Sequence, residues 1–315
     1  MIPRILRNLS RINNKRTVKN IKASSENLLL SDKSKKLFKK NAIKEIKMDT
    51  PEFFDMQTGA HYPSLKKEGF ENWVKKSSIY DNLKKPPVKT WKEYNSLLDI
   101  QAEKKFNRLV PNFDSWYNSK VKGSIRSVPI TFRPKKHKSF FDKDSGAQSI
   151  EGFYNRNNHR IVMQKRRTPF RRGLSKSKTS TTGIHELKHA VQLGGFGSSW
   201  AKANRIGFPS KAIDDIITKN LRPIKKGSIP KVQMDRYMKY RDYLKQPIEV
   251  SARLEEIRFL RNKWGKLAGP IIRGSDAFRQ LSLIFKPKKI FELENKIWGL
   301  APIGVTGLLS NLKED

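Results

Sequence analysis

The residues whose types and spacing can do chemistry lie together near the middle of the chain: His185-Glu186-Leu187-Lys188-His189. Each helical residue turns about 100°, so four steps bring the second imidazole back to within about 40° of the first. Both rings then leave one face and offer two nitrogen ligands to a divalent zinc ion. Glu186, adjacent in sequence but turned aside, can act as general base toward a water on that ion, whose pKa the metal lowers to about 7. With five histidines among 315 residues, chance placement yields this pattern only roughly four times in a thousand.

A catalytic zinc takes three protein ligands and keeps one position open. No histidine follows His189, and Gln192 and Gly195 stand where a longer three-histidine motif needs glycine and histidine. A downstream third ligand is therefore a carboxylate: Asp214, Asp215, Asp235, Asp242, Glu249, Glu255, Glu256 or an acid of the tail. Upstream, His61, His137 and His159 remain open. Glu249 has the best setting, in Tyr243-Leu-Lys-Gln-Pro-Ile-Glu-Val-Ser-Ala-Arg253. Pro247 at a first helical position puts Glu249 in the first turn of a helix. Arg253, one turn later, can orient its second oxygen, and small Ala252 lets this helix approach the one carrying the histidines. Tyr243 is a candidate hydroxyl donor to a developing oxyanion, with Tyr240 and Tyr237 close by.

The pair of segments His185-Glu-Leu-Lys-His-Ala-Val-Gln192 and Tyr243…Glu249-x-x-Ala252-Arg253 resembles the zincin metallopeptidases of gluzincin type. It is most similar to versions embedded in bacteriophage proteins, including virion-associated proteins of crAss-like phages. The resemblance covers residues 125 to 265 or so and implies that His185, His189 and Glu249 bind Zn2+ and that Glu186 is the base. It also implies a peptide or protein substrate, which would pair with an exposed strand edge such as that of the 152–163 hairpin.

Several elements must position these groups. Thr181 or Thr182 can N-cap a helix that Gly194-Gly195 ends, with Ile184, Leu187, Ala190 and Val191 as its core-facing stripe. The Ser/Thr/Lys-rich stretch 173–183 predicts a loop before it. Val128, Ile130 and Phe132 alternate as in a strand, and residues 152–163 predict a hairpin turning at Arg156 to Asn158. Beyond residue 200 the chain reads as helical, including a segment from Pro247 to near Gly265. The expected class is α+β: a zincin-like domain over 121–268 with a small sheet on the histidine helix, a basic extension of short helices and loops over 1–120, and a helical, apolar tail over 269–315.

Charge shapes the remaining expectations. The chain carries 67 Lys+Arg against 29 Asp+Glu, a net charge of +38. That suits contact with polyanions and allows a second reading: a non-enzymatic basic virion or ejected protein that binds nucleic acid, its zinc site vestigial. From residue 152 to 185 no acid occurs among nine Lys/Arg, including Arg166, Arg167, Arg171 and Arg172. The absence of cysteine excludes disulfides and cysteine-ligated metals. No apolar run reaches 18 residues, so no membrane-spanning helix is expected, and the apolar stretch 297–309 is broken by Pro302. Residues 1–25 hold seven Lys/Arg and no acid, which fits a docking helix or an organelle transit peptide. The expected location is a virion or host cytoplasm, with the mitochondrial matrix as the minor alternative.

Overall fold

The computed structural model describes residues 2–133, 151–165, 175–196, 207–224 and 231–298. His137, Arg166, Arg167, Arg171, Arg172 and the tail from residue 299 lie outside them. The architecture is mixed α+β, predominantly helical, with two small sheets. Among the described residues no helix is long and apolar enough to cross a membrane.

The N-terminal part is more regular than its composition predicts. Helices α1 (Ile2–Leu29), α2 (Asp32–Asp49), α3 (Lys67–Ile79), α4 (Trp91–Leu109) and α5 (Phe113–Ser127) are joined by short connections and one hairpin, β1 (Glu52–Asp55) with β2 (Ala60–Pro63). The hairpin turns where Asp55 Oδ1 accepts from the Gln57 N–H at 3.0 Å and Gly59 adopts φ +64°. Ile21, Leu29, Phe38, Phe106 and Tyr117 belong to the same apolar core as Leu187 and Leu254 farther along the chain. Helix α5 runs through residue 120.

The second sheet has the order β3-β5-β4, with β3 (Ile130–Arg133) parallel to the central β5 (Arg160–Gln164) and β4 (Gly152–Asn155) antiparallel to it. The hairpin expected at 152–163 is thus present. The sheet packs on α6 (Lys176–Ala190). Two glycines set the approach. A Cβ on Gly152 would meet Thr182 Cγ2 at 2.8 Å, and one on Gly183 would meet Ile21 of α1 at 2.7 Å.

The start of α6 corrects the sequence reading. Its N-cap is Ser175, whose hydroxyl accepts from the Lys178 N–H at 3.2 Å, and neither Thr181 nor Thr182 caps it. Residues 176–183 of the expected loop therefore belong to the helix. The hydroxyls of Thr179 and Thr181 donate to the carbonyls of Ser175 (2.8 Å) and Ser177 (3.3 Å), so they are satisfied inside it. Nor does Gly194-Gly195 end the winding, since a π-helical turn, Val191–Phe196, continues through both glycines.

The C-terminal part comprises α7 (Ser210–Thr218), α8 (Lys231–Lys245), α9 (Pro247–Trp264), a short 3-10 turn, α10 (Ala268–Arg273), α11 (Asp276–Ser282) and α12 (Pro287–Trp298). Pro247 opens α9 at its first turn and Gly265 closes it at φ +50°. Helix α9 packs on α6, and Arg258 carries that contact to the N-terminal helices by donating to Ser34 Oγ (2.7 Å) and Ser31 Oγ (2.8 Å) at the α1–α2 turn.

Helix α7 has no side-chain cap of its own, and the Glu45 carboxylate of α2 faces its Lys211 and Ala212 N–H groups. Burial outweighs those two donors and pushes Glu45 up to about 7. A carboxylate raised above its unfolded value contributes stability below about pH 4.3 and loses it as pH rises through 7. Glu45→Gln should therefore leave thermal stability nearly unchanged at pH 4 and raise it by about 1 kcal/mol at pH 8; equal effects at both would refute this. At the α1–α6 contact, Gly183→Val should destabilise by about 1–3 kcal/mol through overpacking. Combining it with Ile21→Ala should cost less than the two single changes added together, as measured by denaturant unfolding.

Candidate metal centre

The histidines sit on the last two turns of α6 and Glu249 on the first turn of α9, so the close packing of these two helices brings the three side chains together. Each offers one ligand atom, and those atoms all lie within 4.8 Å of one another. His185 Nε2 and His189 Nε2 are 3.0 Å apart, Glu249 Oε1 is 3.2 Å from His189 Nε2, and Glu249 Oε2 is 3.6 Å from His185 Nε2. The ring planes stand at 87°. Ligands about 2.0–2.1 Å from a tetrahedral ion are separated by about 3.3 Å, and the three edges bracket that value. The donor set, two imidazoles and one carboxylate, is also one that zinc accepts.

The remaining ring nitrogens are held from behind. His185 Nδ1 meets Glu256 Oε1 at 2.9 Å. His189 Nδ1 meets Gln192 Oε1 at 3.2 Å, and the Gln192 amide donates to Ser251 Oγ at 2.9 Å. With Nδ1–H donated outward, both Nε2 lone pairs point to the shared centre. Arg253 ion-pairs Glu249 Oε2 through Nη1 and donates through Nε to Gln280 Oε1 at 2.8 Å, so the carboxylate is anchored at the expected residue.

Acidic groups outnumber the fixed cation Arg253 in this buried place. Burial pulls His185 down, but hydrogen bonds to Glu249 and Glu256 and the nearby Glu186 charge more than reverse it, to about 10. Burial likewise works against the Glu249 anion, yet the two rings hold its pKa far below the usual carboxylate range. The cluster demands positive charge at its centre, from a proton or from a metal ion.

Glu186 is buried and makes no hydrogen bond or ion pair among the described residues. Tyr243 lies over Arg253, with the guanidinium carbon 5.5 Å from its ring centre, and keeps 40% of its surface exposed. Burial, and then the Glu249 carboxylate beside it, push its hydroxyl well above the ordinary tyrosine value. Tyr240 stacks on it at 6.3 Å. Tyr237 is directed elsewhere, its hydroxyl 3.4 Å from the Leu283 carbonyl.

Several of the other candidate ligands are engaged away from the centre. Asp215 pairs with Lys44 (2.6 Å), Asp242 with Lys245 (2.7 Å), and Glu255 lies between Lys188 and Arg258. His61 pairs with Glu52 on the first hairpin. His159 closes the second hairpin at φ +45°, bonded to the Tyr154 hydroxyl (2.8 Å) and the Ser127 hydroxyl (3.0 Å). Sequence reasoning weighed Glu256 only as a ligand and missed it, with Gln192 and Ser251, as partners of the rings. The signal existed, because Glu256 follows Glu249 by seven residues, two turns along one helix face.

Large surface openings lie elsewhere, including a cavity of about 860 Å³ between α1 and β3, whereas His185, His189 and Glu249 are all buried. The centre is defined by its chemistry and not by its openness. Comparison with known proteins finds no matching family model, no matching curated protein and no matching solved structure.

Purified protein should carry about one zinc per chain by elemental analysis, and His185→Ala should lose it. In a chelator competition, Glu256→Leu should weaken zinc binding by about 10–100-fold. Glu256→Gln, which still accepts from Nδ1–H, should lose much less. Equal losses in both variants would show that Glu256 does not act through that hydrogen bond.

Proposed function

We propose that this protein is a zinc-dependent endopeptidase with a zincin-like catalytic domain, in the virion-associated setting suggested by its resemblance to phage-borne gluzincins. The observation that supports it most is the convergence of His185, His189 and Glu249 with a buried, uncommitted Glu186 on the same turn of α6. Zinc held by the three ligands would polarise the substrate carbonyl and make water acidic enough to be deprotonated near neutral pH.

The chain's own groups supply the rest. Glu186 takes a proton from the attacking water as its oxygen bonds to the carbonyl carbon. It then delivers that proton to the amide nitrogen as the C–N bond breaks, so one water is consumed and the products are a carboxylic acid and an amine. Tyr243, whose hydroxyl stays protonated, donates a hydrogen bond to the negative oxygen that develops on the former carbonyl. Arg253 keeps the Glu249 carboxylate in place. Among the described residues strand β4 is an edge of the sheet and packs on α6, so its outer side could offer backbone N–H and C=O groups to an extended substrate.

Glu186→Gln separates the roles. It should retain about one zinc per chain and lower cleavage of an unstructured protein by about 100-fold or more, followed by gel and mass spectrometry. Zinc-loaded wild type that cleaves nothing between about pH 5 and 9 would sink the peptidase reading and leave a basic binding protein with a structural metal.

A further inference from the structure

A groove of about 1440 Å³ lies between α2 and α4, bordered by the loop into α3 and by α7 and α12. None of its lining residues belongs to the metal centre. We infer that this groove is a sequence-independent binding site for single-stranded nucleic acid.

The first support is a stripe of like charge. Lys36, Lys40, Lys44 and Lys47 recur along α2 and line the groove. Four helical residues rise about 6 Å, comparable to the step between successive phosphates of an extended strand. Lysines four apart on one helix repel each other and weaken it, so the arrangement needs anions nearby. The chain supplies too few. Asp99 is taken by Lys47 (2.7 Å), Glu103 by Lys39 (2.9 Å), and Asp215 by both Lys44 (2.6 Å) and Lys219 (3.4 Å). Lys36, Lys40, Lys66 and Lys296 are exposed and have no acidic partner among the described residues.

The second support is the floor. Leu37, Ile43, Leu65 and Trp91 line the same groove between the lysines. Cations along the rim and apolar surface beneath fit a polymer with phosphates on one side and flat, poorly hydrated bases on the other. An acidic peptide would satisfy the rim and leave the floor wet. Among the described residues no arginine lines the groove, so its cations there are point charges suited to phosphates of any sequence rather than bidentate donors that read guanine.

The test uses the full chain and a labelled oligothymidylate of about twenty nucleotides, with anisotropy read between about 50 and 200 mM salt. Changing Lys36, Lys40, Lys66 and Lys296 together to Gln should weaken binding at least about tenfold and lower the slope of log affinity against log salt by about 3. A control set, Lys75, Lys76, Lys85 and Lys266 to Gln, removes the same four charges, from +38 to +34, on exposed sites outside the groove. It should stay within about twofold of wild type. Equal zinc content and melting temperature in both sets will show that neither is misfolded. Equal loss in the two sets would overturn the groove in favour of diffuse attraction. Displacement of the strand by polyglutamate as readily as by unlabelled oligothymidylate would also overturn it, in favour of an acidic protein partner. Because the readout is binding, it stands or falls separately from peptide cleavage.

Discussion

The approach of α6 to α9 is the constraint on which the rest depends. Three ligand atoms meet only if an imidazole pair near the end of one helix faces a carboxylate at the start of the other. Small side chains are fully buried along the two helices, Ala190 on α6 and Ser251 and Ala252 on α9, and Ser251 accepts from Gln192 across them. Neither helix holds this geometry alone. The sheet covers α6 at Gly152 and Thr182, α1 seats Ile21 against Gly183, and Arg258 ties α9 to the α1–α2 turn. Each contact limits how far the two helices can slide, and a shift of about 1 Å is enough to spoil a coordination sphere.

Electrostatics explains why so much rigid packing is spent there. In a chain with 67 basic and 29 acidic residues, Glu186, Glu249, Glu255 and Glu256 are all drawn toward one helix pair. Glu255 is neutralised inside the fold by Lys188 at 3.9 Å and Arg258 at 3.6 Å. Burial brings Lys188 down to about 7, with Glu255 opposing that shift and Arg258 reinforcing it. Glu249 pairs with Arg253 and, with Glu256, also faces the histidines. Even with Arg253 paired to Glu249, two carboxylates gathered around two imidazoles keep an excess of negative charge that is expensive to bury, so a metal ion that bound the folded state alone would also stabilise it.

Much of this centre was legible because helical spacing is rigid: His185, Glu186 and His189 needed no tertiary information, and Pro247 fixed where Glu249 falls in α9. What failed was reading local composition as loop. Thr179 and Thr181 satisfy their hydroxyls on the preceding turn, and Gly183 is retained for Ile21, so a segment resembling a linker is helix. The basic helices before residue 120 were read as short because lysine-rich runs carry little periodic signal. Their length comes from long-range burial of Phe38, Tyr94, Phe106 and Tyr117, which no local window contains. The partners Glu256 and Gln192 were visible at spacings of seven and three residues. They went unread because Glu256 was judged only as a ligand and Gln192 only as a departure from the longer histidine motif, neither as the support of a ring.

The two charged territories obey different ranges, and this keeps their functions compatible. The excess of lysine acts through solvent over roughly a Debye length, about 8–10 Å at ordinary ionic strength, and weakens as salt is added. It would draw polyanions to the surface and repel free divalent cations on their way in. The acids at the centre act across 2.9–3.6 Å among buried side chains, where screening is slight. Metal affinity is then decided by direct ligands and the groups that aim them, while contact with polyanions is decided by the surface. A body this basic could hold a cation because the carboxylates that would attract it are few, buried and aimed inward.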